Sequence, residues 1–135
     1  MLVKLGVAAF LLAHAGIHAS FVAPRPPATA GGPEWPFALG HSWVLSPIGL
    51  SSDSVRVLGV ALVAAVIAAY ALAALTAVGF APDALWVPSV VTASLASLAL
   101  LVVFFHPWLA LGVAIDAVIV WAVLVAGWAP EGIAR

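Results

Sequence analysis

The sequence contains no cysteine and has few charged residues. Without cysteine there is no disulfide, no thiolate metal ligand and no thiol nucleophile, so a bound metal would need nitrogen or oxygen ligands. Charged residues make up 7% of the chain, against about a quarter in soluble proteins, and the formal net charge is −1. The chain therefore offers neither a basic surface for nucleic acid nor a polybasic segment for anionic lipid.

Hydrophobic residues are abundant instead and account for 66% of the 135 positions. This composition predicts an all-α integral membrane protein with a single domain over 1–135. We expect four antiparallel transmembrane helices, with both termini on one side of the bilayer. The helices are predicted at about 2–22, 55–80, 87–105 and 108–128, with a long loop at 24–53 that contains tryptophan and proline.

The first hydrophobic segment has two interpretations. Lys4, the apolar run that follows it and the small residues around 19–23 are typical of a secretory signal peptide. The run continues to Phe21, which is longer than the usual hydrophobic region of about 7–15 residues, and it contains two histidines. We therefore expect a first membrane-spanning helix, which Pro24 would end because proline removes a backbone donor.

The long loop divides into two parts of different composition. Pro24 to Pro33 is rich in proline and glycine and predicts irregular structure. Glu34 to Leu45 is too apolar and aromatic for a solvated linker, and its tryptophans, Trp35 and Trp43, favour the membrane interface. We expect this second part to fold over one end of the bundle; simple packing of the two indoles is the alternative.

The distribution of positive charge hardly determines the orientation. Lys4 and Arg135 lie on the side of the termini, whereas Arg25 and Arg56 lie on the side of the long loop. Lysine and arginine bias the side that faces the cytoplasm, and here the two sides tie. The position of the long loop leads us to expect cytoplasmic termini and a multi-pass protein of the plasma membrane.

Asp116 is the only carboxylate within the predicted membrane segments. A charge at that depth costs roughly 2.5–3.5 kcal/mol, so it is expected to face a protein interior and to have a partner. A rise of about 1.5 Å per residue places His14, Ser97 and Asp116 about 13–15 Å from the loop side. His18 shares a helix face with His14. The residues predicted to line a pocket are Asp116, His14, His18, Ser97, Arg56 and Trp43.

Several functions would suit such a pocket. Two histidines four residues apart suit a transition metal, and Asp116 together with His41 or His106 would complete a set of three or four ligands. Haem is less favoured, because His14 and His106 differ by about 15 Å in depth. An oligomer that moves protons or ions through Asp116 and His14 is another hypothesis. A serine hydrolase is disfavoured, because no glycines flank Ser97.

The remaining hypothesis is purely structural: Asp116 would bond a histidine or a serine hydroxyl and fix the helix register. Such bonds contribute only about 0.6 kcal/mol on average, which explains a buried aspartate poorly. We therefore favour a small binding module for a metal or small ligand, or a subunit of a larger membrane complex. Its expected partners are the lipid bilayer and further protein chains, including copies of itself; enzymatic activity is left open.

Overall fold

A computed structural model describes residues 1–25, 27, 30–32 and 34–133. Pro26 and Pro33 of the predicted irregular stretch, and Arg135 of the orientation argument, lie outside this part. The described residues form four helices and no strand, which confirms the all-helical prediction. The helices are α1 (Leu2–His18), α2 (Ser52–Ala77), α3 (Trp86–Val103) and α4 (Ala110–Val120).

Short turns of other helical types lengthen three of these helices. A 3₁₀ turn extends α1 to Phe21, further 3₁₀ turns precede α3 from Asp83 and α4 from Pro107, and a π-helical turn extends α4 to Val125. With these turns included, all four helices are long enough and apolar enough to cross a membrane.

The ends of α2 follow from capping residues. Ser51 precedes the helix, and its Oγ accepts a hydrogen bond from the backbone N–H of Ser54 at 3.2 Å, which satisfies a donor that has no partner within the helix. Gly79 adopts a φ of +86°, a conformation that ends helices and favours glycine. The helix therefore begins and ends about three residues earlier than the hydrophobic pattern predicts.

Helix α2 packs against both α1 and α3, and α3 also packs against α4. The alanines spaced four apart on α2 do not form one buried stripe: Ala61 and Ala65 are exposed, Ala69 is half-buried and Ala73 is buried. Four residues exceed one turn of 3.6 residues, so such a stripe rotates by about 40° per step around the helix.

Two apolar clusters form the core, and a layer of polar side chains lies between them. Along α3, Val90 and Ala93 belong to the first cluster and Leu100 to the second, with Ser94 and Ser97 between. The same holds along α4, where Asp116 lies between Leu109 of the second cluster and Val123 of the first. The polar layer therefore crosses the bundle near the middle of its helices.

The loop before α2 closes one end of the bundle through hydrogen bonds to α3. The buried Ser42 donates its hydroxyl to the carbonyl of Val103 at 2.6 Å, and the indole Nε1 of Trp43 donates to the carbonyl of Val102 at 2.6 Å. Carbonyls in the last turn of a helix have no partner within it, so these side chains supply one. Trp43 thus lies at the end of α3, with 59% of its surface exposed.

Candidate functional site

Asp116 is fully buried on α4 and is surrounded by hydrogen-bond donors. Its Oδ1 accepts from Nε2 of His14 at 3.0 Å and from the hydroxyl of Tyr70 at 2.6 Å. Its Oδ2 accepts from the hydroxyl of Ser97. Each of the four helices contributes one of these groups, so the carboxylate connects the whole bundle.

Two further side chains extend this network. His18 lies one turn after His14 on α1; its Nδ1 donates to the carbonyl of His14 at 2.9 Å, and its Nε2 lies 2.7 Å from the hydroxyl of Ser97. Ser94 lies 3.0 Å from the hydroxyl of Tyr70. The hydroxyl of Tyr70 has one hydrogen, which it donates to the carboxylate of Asp116. In the bond between Tyr70 and Ser94, the hydroxyl of Ser94 is therefore the donor. We call Asp116, His14, His18, Tyr70, Ser94 and Ser97 the polar cluster.

The polar cluster can hold one proton in two places. Nδ1 of His18 faces a carbonyl, which only accepts, so this nitrogen carries a hydrogen. If Ser97 donates to an ionised Asp116, Nε2 of His18 must donate to Ser97, and His18 is an imidazolium. If Asp116 carries the proton and donates to Ser97, Ser97 donates to a neutral His18. Ser97 therefore links two sites between which a proton can move.

The same residues are suited to a metal ion. His14, His18 and Asp116 each offer one ligand atom, these atoms lie within 4.8 Å of one another, and no other such group of three occurs in the described ranges. Metal bonds of about 2.0–2.2 Å hold two ligand atoms no more than about 4.4 Å apart. The three ligand atoms therefore exceed the spacing that one ion requires by no more than about 0.4 Å.

The structure brings only part of the predicted pocket together. His41 and His106 line another cavity, which also contains Trp43, and Arg56 is exposed beside a third cavity. None of these four side chains reaches the polar cluster. The predicted residues that do meet are His14, His18, Ser97 and Asp116.

Tyr70 and Ser94 were not among the pocket residues predicted from the sequence. Tyr70 is the only tyrosine in the chain, lies in the second half of its longest helix and is fully buried. A tyrosine within an apolar run needs a partner for its hydroxyl, and this was the available signal. Its partner is not readable from α2 alone, because Asp116 is 46 residues away along the chain.

A cavity of about 140 Å³ gives access to the polar cluster from the side of α1 and α4. His14, His18 and Gly112 line it. Gly112 permits a close approach of α3, because a Cβ atom there would lie 2.9 Å from Cδ1 of Leu101. The small residue therefore lets α3 pack closely beside the cavity.

No protein-family model, curated protein or solved structure matches this chain. The chemistry of the polar cluster must therefore be inferred from its own atoms.

Proposed function

We propose that the protein is a membrane module that binds a divalent transition-metal ion through His14, His18 and Asp116. The observation that carries the proposal is the approach of their three ligand atoms to within 4.8 Å of one another. Two histidines and one carboxylate form recurrent sites for zinc and for non-haem iron, and they leave coordination positions open. Such a site needs no cysteine, in agreement with the composition.

The surroundings of the three ligands support this proposal. Metal-binding histidines usually donate their second N–H to a carbonyl or carboxylate, which fixes the orientation of the ring. His18 does so through Nδ1 to the carbonyl of His14, and this leaves Nε2 as its ligand atom. Tyr70 and Ser97 in turn donate to Asp116 and would orient the carboxylate.

The proposal includes insertion into the bilayer as four antiparallel spans. Large apolar side chains are exposed along the helices, as expected for contact with lipid. Along α1 the chain runs from the first apolar cluster to the second, with Leu11 before Phe21, and along α2 it runs back, with Val55 before Val66. This order supports neighbouring helices of opposite direction, and four such spans would bring both termini to the same side of the bilayer.

Elemental analysis tests the metal proposal. We expect purified protein without a histidine tag to contain about one iron, zinc, copper, nickel or manganese ion per chain. His14→Ala and His18→Ala should each lower the content by at least roughly tenfold, because a two-ligand site binds these ions far more weakly.

The other two histidines provide matched controls. His41→Ala and His106→Ala should leave the metal content unchanged, because their side chains lie in a different cavity. Wild-type protein without metal after loading, or equal metal in His18→Ala and wild type, would contradict the proposal.

We infer proton translocation as a second candidate function. It is favoured by the two groups that can hold one proton, His18 and Asp116, which Ser97 connects. Ser97→Ala removes the hydroxyl that connects His18 to Asp116 and keeps both ionisable side chains. In liposomes with a pH-sensitive dye inside and an imposed potential, this variant should lower proton flux by at least about tenfold.

Ser89→Ala is the control for the flux experiment. The hydroxyl of Ser89 donates to the carbonyl of Leu85 within its own helical segment, so its loss should not affect proton flux. Proton translocation would be refuted by wild-type flux no faster than in empty liposomes, or by equal flux in Ser97→Ala and wild type.

A further inference from the structure

A second feature of the bundle is an apolar cleft between α1 and α4, with a volume of about 470 Å³. Phe10 and Leu11 line it from α1, Leu111 and Val118 from α4, and Trp86 lies at its inner side. Leu111 and Val118 are 72% and 62% exposed, so the cleft opens towards the outside of the bundle. A molecule dissolved in a bilayer could enter it sideways.

The cleft adjoins the small cavity beside the polar cluster. Leu111 and Ile115 line both spaces, and His14 and His18 line only the smaller one. A molecule that occupied both would have its chain among apolar side chains and its head beside two imidazoles. Small-molecule sites have this character: about 300–1,000 Å³, mostly apolar, with a few polar groups that fix orientation.

One imidazole nitrogen at this end has no partner. His14 uses Nε2 to bond Asp116, and Nδ1 makes no hydrogen bond with any described residue. Among the residues that the structure describes, Nε1 of Trp86 is the only side-chain nitrogen or oxygen that is fully enclosed and has no hydrogen-bond partner. Nδ1 of His14 is therefore not fully enclosed, and His14 lines the small cavity.

The lining of the small cavity determines the charge of the group that fits. Its described residues include no lysine, arginine, aspartate or glutamate. A phosphate or carboxylate would lie there without a permanent counter-ion, at a high desolvation cost. A hydroxyl suits the site, because it can donate a hydrogen bond to Nδ1 of His14 without carrying charge.

We infer that the cleft binds a neutral, single-chain lipid-like molecule whose hydroxyl head donates to Nδ1 of His14 while its chain lies between α1 and α4. This inference goes beyond metal binding, because the chain of the molecule would lie in the cleft, and none of the three proposed metal ligands lines the cleft. Long-chain alcohols and prenylated hydroquinones share this chemistry.

Quenching of tryptophan fluorescence by a brominated alcohol tests the inference, because Trp86 and Trp128 line the cleft. The probe is 9,10-dibromooctadecanol, added to the full-length protein in detergent after treatment with a chelator. We expect a saturable component of quenching, weakened by at least about tenfold in Ala114→Phe, which fills the cleft with a large side chain. Ala117→Phe places the same side chain on α4 outside both cavities and should bind as the wild type does.

The head group is tested with two further probes of the same chain. Dibromooctadecane and dibromostearate should each bind at least about tenfold more weakly than the alcohol, since one lacks the hydroxyl and the other is charged. Octadecanol and a prenylated hydroquinone are then compared as competitors of the brominated alcohol. The stronger competitor shows whether the hydroxyl of the natural ligand is aliphatic or aromatic. Equal quenching in the two phenylalanine variants, or equal binding of all three probes, would overturn the inference. Because the metal has been removed, these results are independent of those of elemental analysis.

Discussion

Replacing Asp116 with alanine is expected to lower the free energy of unfolding by about 3–5 kcal/mol, because it removes the shared acceptor of three buried hydrogen-bond donors. The substitution leaves His14, Tyr70 and Ser97 without the acceptor to which they donate. Each buried polar group without a partner costs about 1–3 kcal/mol, more than the roughly 0.6 kcal/mol that a typical hydrogen bond between membrane helices contributes. Unfolding by sodium dodecyl sulfate, followed by circular dichroism with chelator present, measures the change.

Asp53→Ala is the matched control for this experiment. Asp53 is exposed in the first turn of α2, where a carboxylate contributes about 0.3–1 kcal/mol through the helix dipole. Asp116→Asn should have an intermediate effect, because its amide oxygen can accept some of the same hydrogen bonds. If Asp116→Ala were no more destabilising than Asp53→Ala, the polar cluster would not hold the four helices together.

Replacing Gly59 with valine is expected to lower the free energy of unfolding by about 1–3 kcal/mol through overpacking. A Cβ atom at this position would lie 2.6 Å from Cδ2 of Leu39 and 2.9 Å from Cζ of Phe104. Both neighbours are buried in the second apolar cluster, which limits their movement. The glycine thus permits α2 to pack closely against the loop and the end of α3. The same detergent-unfolding measurement tests this prediction.

Gly16→Val is the control, because a Cβ atom at Gly16 would meet no atom within 4 Å. Its exposed position on α1 should tolerate valine with a change of no more than about 0.5 kcal/mol. Equal stability of the Gly59→Val and Gly16→Val proteins would show that Leu39 and Phe104 can move aside without cost.

Hydrophobic pattern and length were sufficient to predict the four helices. The position of each polar side chain along its helix was also predictable, because the rise per residue is fixed. Counting placed His14, Ser97 and Asp116 at one level, and hydrogen bonds join Asp116 to the other two. The ends of α2 were predictable only within about three residues, because the hydrophobic pattern does not distinguish the capped turn at Ser51 from the turns that follow.

The rotation of each helix about its axis and the path of the loop were decided by tertiary packing. Rotation directs Tyr70 inward to Asp116, although no spacing within α2 requires it. The bonds of Ser42 and Trp43 to α3 hold the loop, and His41 lies away from the polar cluster. The amino-acid sequence by itself determined the helices, their approximate lengths and the position of the aspartate along α4. Which side chains meet the aspartate, and where a cleft remains, depends on contacts between segments far apart in the chain, which only the folded bundle establishes.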